Sequence, residues 1–192
     1  MAYHSRFNDS ADRYRVCCGC LIVPLNVPNS GSATPEDADG ATLDPVDEAI
    51  ELFRPNSLFR SFDIRGPGDK LLIYLILFIN SCLRRLAERK PVPNREEART
   101  LLFALAHDRF PLPGHAGFPL GALMLPPANK EEEEVMRGYL RQCREEAGRR
   151  LLDRLYPVPC SGSASNEGAV AAAVPNKHWL AFANRRFLDK AG

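Results

Sequence analysis

Excess charge of one sign is the first thing this sequence lacks. Its formal net charge is +1, whereas nucleic acids and anionic membrane surfaces are held largely by surplus Lys and Arg. No apolar run approaches the ~18–20 residues of a bilayer span. Four His are present, yet His107, His115 and His178 have no catalytic motif around them. Nucleophilic catalysis needs Cys or Ser beside a base and an orienting group, and no such grouping is visible. Gly66-Pro67-Gly68 lacks the Gly-Lys-Ser/Thr ending of a phosphate loop. No repeat at solenoid spacing occurs. These absences predict neither nucleic acid nor membrane as a partner, no catalytic residue and no cofactor-binding residue.

What is present is an ordinary globular composition: 45% hydrophobic and 26% charged residues in a chain of 192. That length suits a single domain, 1–192. Asn26–Leu43 is rich in Pro, Ser, Gly, Asp and Asn and reads as an exposed loop. Residues 160–174 are mostly Ser, Gly, Ala and Val with a single charge, and read as a flexible insert.

The six cysteines are Cys17, Cys18, Cys20, Cys82, Cys143 and Cys160. In a chain this long they do not form a disulfide framework. Cys82 and Cys143 fall on apolar helix faces, where a thiol behaves as a small hydrophobe. Cys17-Cys18-Gly19-Cys20, with His4 upstream, is the strongest ligand cluster. Zinc usually takes two separated pairs, however, and no second pair follows. Buried or loop thiols are expected and no metal site; a small thiol enzyme or zinc protein using Cys17–Cys20 is the rival. Arg13 and Arg15 ahead of Val16–Val23 imitate a signal peptide, but the run is short, holds Gly19 and is cut by Pro24. It reads as a buried, strand-like segment.

Helix signals dominate the remainder. Asp44 caps a helix with Pro45 at its first position and a stripe of Val46, Ala49, Ile50 and Phe53, with Pro55 as its stop. Asn94 and Glu97 form a capping box before the stripe Ala98, Leu101, Leu102 and Leu105. Asn129 and Glu132 repeat that arrangement before Met136, Tyr139, Leu140, Cys143, Ala147, Leu151 and Leu155. The acidic run Glu131–Glu134 suits the first turn of this helix. Glu133–Arg137, Glu145–Arg149 and Glu146–Arg150 are i, i+4 pairs expected on its wet face. Asn176 caps a short helix with Trp179, Phe182, Ala183 and Phe187. Phe110-Pro111-Leu112-Pro113-Gly114 and Gly117-Phe118-Pro119-Leu120 are apolar but turn-rich, and predict an extended strap across the core.

One helix has no wet face. After Gly66-Pro67-Gly68, Asp69 is the expected cap, and Leu71–Ile79 is apolar apart from the Tyr74 hydroxyl. A helix apolar all round is covered all round. Burying those nine side chains is worth roughly 15–25 kcal/mol gross at ~1.5–3 each. The predicted fold class is therefore all-α, with about five helices and one central apolar helix, near 69–90, surrounded by the others.

The carboxy-terminal segment is the candidate interaction surface. Lys177, Arg185, Arg186 and Lys190 against Asp189 give a local charge of +3 beside the single Trp. Trp and Arg are favoured at interface hot spots. The residues singled out for a partner interface are Lys177, Trp179, Arg185 and Arg186. The competing reading has Trp179 and Phe182 closing the core while the basic residues stay solvated.

In this order the motifs resemble subunit 3 of the actin-related protein 2/3 complex. The residues that carry the likeness are Ala2-Tyr3-His4-Ser5, Val46-Asp47-Glu48-Ala49-Ile50, Asp69, Leu72-Ile73-Tyr74 and the strap. Pro127-Ala128-Asn129-Lys130, Glu134-Val135-Met136-Arg137, Tyr139-Leu140 and the series Lys177, Trp179, Phe182, Arg186, Phe187 and Lys190 complete it. Departures include Cys20 for Asn, His178 for a second Trp, and Gly138 for Ala. The resemblance implies a non-catalytic subunit of an assembly that nucleates branched actin filaments, in the cytoplasm and actin cytoskeleton. It implies packing against actin-related protein 3 and other subunits, with only indirect contact to the filament. ATP would be bound by the actin-related subunits, so no cofactor is expected here.

Overall fold

The computed structural model describes residues 2–27, 43–121, 123–157, 175–185 and 187–188. The interior of the predicted loop 26–43, the whole insert 160–174, Arg186 and Lys190 lie outside the described residues. The described chain is mostly helical. A 3-10 segment, Arg6–Arg13, leads into a hairpin of β1 (Arg15–Cys17) and β2 (Cys20–Ile22). There follow α1 (Pro45–Asn56), α2 (Pro67–Ala87), α3 (Arg95–His107), α4 (Lys130–Leu155) and α5 (Lys177–Leu180), the last continued by a 3-10 turn, Ala181–Asn184.

The hairpin qualifies the all-α expectation. Its register pairs Arg15 with Ile22, Val16 with Leu21 and Cys17 with Cys20. The two turn residues, Cys18 and Gly19, have φ of 51° and 73°, the left-handed pair that matches the twist of a two-residue hairpin. Tyr139 of α4 anchors its exit, donating from the hydroxyl to the Val23 carbonyl at 2.9 Å and accepting from the Val23 amide at 3.1 Å.

α2 is the axis. No side chain from Leu71 to Ile79 exceeds 6% exposure, because α1, α3, α4, α5, β2 and the two 3-10 segments all pack against it. Its start differs from the expectation. Gly66 is the cap residue, Pro67 opens the helix, and Asp69 lies in the first turn, fully buried. The capping acceptor comes from far upstream: Asn8 Oδ1 takes the amides of Gly68 and Asp69 at 2.9 and 3.2 Å. A Cβ on Gly66 would meet that oxygen at 2.5 Å, so the glycine is what admits the cap. The helix ends at Ala87, short of residue 90.

Asp69 instead ties down the amino terminus, accepting from the amides of Ser5 (2.8 Å) and Arg65 (2.9 Å) and pairing with His4 Nδ1 at 2.9 Å. Beside it Glu48, only 1% exposed, accepts from Ser5 Oγ at 2.6 Å and the Arg6 amide at 2.8 Å.

α1 runs one residue beyond its expected stop, with Pro55 inside its last turn. The ring removes only the amide that would bond the carbonyl of Glu51, an exposed residue. α3 carries the full Asn94–Glu97 capping box. In α4 only half of the second box forms: Asn129 accepts from the Glu132 amide, but the Glu132 carboxylate turns to the amides of Cys18 and Ala128.

The wet face expected for α4 is also narrower than predicted. Glu133–Arg137 forms at 2.7 Å, whereas Glu145 pairs with His107 of α3 at 2.9 Å rather than with Arg149. Glu146 is 7% exposed and holds both Arg149 and Arg150. Arg150 reaches across to Asp44 at 2.7 Å and Asp47 at 2.9 Å, locking α4 to the start of α1. The cause is packing on both flanks by α1 and α3, which covers part of the surface a solitary helix would leave wet. Gly138, by contrast, has open space where a Cβ would stand. Gly138→Ala is expected to raise stability by up to about 1 kcal/mol, read as a higher denaturation midpoint at unchanged m-value.

Candidate functional site

Residues 175–185 and 187–188 pack on α1, α2 and the end of α4. Asn176 caps α5, accepting from the His178 amide, and its own amide donates to the Leu155 carbonyl at 2.7 Å. Trp179, 9% exposed, stacks on Phe53 of α1 with ring centroids 5.7 Å apart and planes 8° from parallel. Phe182 meets Phe53 edge-on at 5.9 Å, and the Arg54 guanidinium lies 5.6 Å from the Phe182 ring centre. Asn80 of α2 clamps the turn, its Nδ2 donating to the carbonyls of Phe182 and Arg185, each at 3.1 Å. Beyond it Phe187 is buried against Phe62.

The segment therefore has two faces. Trp179, Ala183 and Phe187 point into the core, while Lys177, His178, Ala181, Asn184 and Arg185 are exposed. Of the four residues singled out from the sequence, Lys177 and Arg185 lie on the outer face, Trp179 belongs to the inner one, and Arg186 lies outside the described residues. Burial of Trp179 removes it from direct contact with anything docking there.

The cysteine cluster gains a third donor that no local spacing could supply. Cys17 and Cys18 Sγ are 3.9 Å apart, and with a Glu132 oxygen they form a group within 4.8 Å of one another. That carboxylate is already occupied, accepting from the Cys18 amide at 3.0 Å and the Ala128 amide at 2.7 Å. Those backbone donors hold Glu132 below the usual carboxylate range. Burial pushes the Cys17 thiol up to about 12, with Cys18 and Glu132 adding to the shift, and raises Cys18 as well. A nucleophilic thiol wants the opposite shift. The cluster fastens the hairpin to the start of α4. Cys20, Cys82 and Cys143 are likewise buried, and burial raises each.

His4, Ser5, Glu48 and Asp69 bring an imidazole, a hydroxyl and two carboxylates close together, yet not as a catalytic relay. The Ser5 hydroxyl donates to Glu48 and accepts from the Phe7 amide, while His4 pairs with Asp69. Among the described residues no imidazole reaches that hydroxyl. Sequence reasoning overlooked Arg144, which is 8% exposed on α4. The available signal was its position four residues after Leu140 and three before Ala147, on the apolar stripe.

Polar clusters that fasten segments together around a covered central helix define a helical scaffold protein. Comparison with known proteins agrees. Residues 1–191 match the family model described as "P21-Arc: ARP2/3 complex ARPC3 (21 kDa) subunit", and the chain belongs to this family. It is 38% identical over 191 residues to actin-related protein 2/3 complex subunit 3 of Dictyostelium discoideum, covering 100% of this chain and 99% of that one. The subunit 3 proteins of Schizosaccharomyces pombe and Arabidopsis thaliana are 40% and 39% identical, covering 99% and 98% of this chain and 98% of each relative.

Proposed function

We propose that this chain is a structural subunit of an actin-related protein 2/3 complex, supporting actin filament nucleation and branching within the cytoplasmic actin cytoskeleton. The observation that carries the reading is similarity along the full length to relatives named as subunit 3 of that complex. The subunit contributes binding energy rather than chemistry, packing against actin-related protein 3 and holding neighbouring subunits in one arrangement. The exposed basic residues Lys177 and Arg185 form the docking face, kept rigid by Trp179 on Phe53 and by the Asn80 clamp.

Affinity purification of the tagged chain is expected to recover two actin-related proteins with it; recovery as a stable monomer alone would refute the assignment. Lys177→Glu with Arg185→Glu is expected to weaken incorporation at least about tenfold, since reversed charges at an interface cost several kcal/mol. Thermal stability should stay within about 0.5 kcal/mol of the parent, because both side chains are exposed. Normal incorporation of that soluble double variant would remove these residues from the interface.

A further inference from the structure

Cys17 and Cys18 are neighbours in sequence, and neighbours in an extended strand send their side chains to opposite faces. The hairpin turn removes that obstacle. Cys17 ends β1 and Cys18 opens the turn at φ 51°, a left-handed position that ordinarily goes to Asn, Asp or Gly. The two Sγ atoms lie together there, 3.9 Å apart. Two thiolates on one tetrahedral zinc stand about 3.8 Å apart, the edge set by Zn–S bonds of about 2.3 Å. Cys17 Sγ also donates to the Glu132 carbonyl at 3.7 Å, a weak contact that costs little to give up.

Spacing along the chain argues against zinc, because no second cysteine pair follows. Folding supplies a different third donor. Glu132 lies 114 residues beyond Cys18, in the first turn of α4. A carboxylate oxygen of Glu132 and the two Sγ atoms all lie within 4.8 Å of one another. An Sγ and a carboxylate oxygen on one zinc stand about 3.6 Å apart, so closing on an ion takes at most about 1.2 Å of side-chain adjustment. The amides of Cys18 and Ala128 each bond one oxygen of that carboxylate, which leaves a lone pair free on each. Outer donors of this kind orient a ligating carboxylate. Cys17 and Cys18 are 1% and 3% exposed and Glu132 is half-buried, the closed surroundings of a structural ion. Three anionic donors around a divalent cation leave one net negative charge. Lys70 is at hand to offset it, its Nζ 3.0 Å from where a Cβ on Gly19 would stand.

We propose that Cys17, Cys18 and Glu132 form a structural site for a divalent thiophilic cation of the zinc class, which staples the hairpin to α4. The donor set selects the ion. Thiolates favour soft and borderline metals, and the carboxylate disfavours univalent copper, while calcium and magnesium want oxygen throughout. On ligation each thiol gives its proton to solvent and a sulfur lone pair to the ion, and water takes the fourth position on the half-buried Glu132 side. The ion is taken up as the hairpin docks on α4, so binding and this tertiary contact are coupled. The role is structural rather than catalytic, and it holds whichever assembly contains the chain.

The test uses the full chain, refolded under a phosphine reductant with zinc, or with cobalt in its place. One ion per chain is expected to survive gel filtration. Cobalt should give the visible bands of a tetrahedral ion together with near-ultraviolet thiolate bands. Cys17→Ser and Cys18→Ser should each lower zinc affinity at least about hundredfold, since losing a ligand costs more than the ~10–100-fold of an outer partner. Glu132→Gln should lower it at least about tenfold, and Cys160→Ser should leave it unchanged. The metal-free denaturation midpoint of each variant, set against the parent's, separates loss of a ligand from loss of the fold. The cobalt spectrum of the parent decides the matter without any variant. Failure to retain an ion would overturn the proposal, as would an octahedral cobalt spectrum without thiolate bands. Undiminished zinc affinity in any one of the three ligand variants would break the three-donor site and overturn it too.

Discussion

Arg150→Ala is expected to destabilise the fold by about 3–5 kcal/mol, the cost of removing one partner from a buried ionic cluster. The side chain of Arg150 is 11% exposed and those of Asp44 and Glu146 are 2% and 9% exposed; without Arg150, Asp44 loses its counter-charge and Glu146 keeps only Arg149. The variant is checked by chemical denaturation at neutral pH. Arg150→Lys should recover part of the loss, because an ammonium keeps the charge but cannot fork onto both Asp44 oxygens.

The same cluster sets a pH dependence. Burial alone would raise Asp44, but hydrogen bonds from Arg150, Asp47 and Asn26 and the Arg150 charge outweigh it and hold the carboxyl below its usual range. A depressed carboxylate stabilises the fold above its unfolded-state pKa, and that contribution fades as pH falls through the folded-state value. Burial raises Glu48 against its Ser5 and Arg6 partners, so Glu48 works in the opposite direction. The deficit of Arg150→Ala is therefore expected to shrink in acid, where Asp44 becomes protonated in mutant and parent alike. An equal deficit at neutral and acid pH would separate Asp44 from the effect.

The second large effect is at Trp179. Trp179→Ala should cost about 3–5 kcal/mol, the range for truncating a buried large aromatic. It should also open the carboxy-terminal segment to limited proteolysis, since the stack on Phe53 is one of its apolar anchors. Trp179→Phe keeps a ring over Phe53 and should lose less than about 1.5 kcal/mol. With only one Trp in the chain, emission of the parent reports this residue directly, and a blue-shifted maximum is expected in the isolated subunit. A water-exposed maximum there would return Trp179 to the docking surface and contradict the buried stack.

Local rules located most of the helices because their signals are local. Asp44–Pro45 and Asn94–Glu97 act within one turn of the helices they start, and the unbroken apolar run Leu71–Ile79 permits no exposed face. The hairpin was legible only as a buried, strand-like run, since three-residue strands offer too little alternation to declare themselves. The errors share one cause. Asp69, Glu132 and Glu145 each have a good local role in sequence, as a cap, a capping-box partner and a solvated pair. Each carboxylate was drawn instead to donors elsewhere: Ser5 for Asp69, Cys18 for Glu132, and His107 of α3 for Glu145.

What the sequence determined by itself was the covered central helix and, through motifs in order, the family. Each depends on side-chain type and spacing, which a chain carries unfolded. Tertiary structure alone decided which way the carboxy-terminal aromatics and cations point, that Trp179 supports the basic face from beneath, and that Arg144 is buried without a counter-charge. Those depend on which segments meet across tens of residues. A buried charge or an inward ring acquires its meaning from neighbours that exist only once the chain has folded.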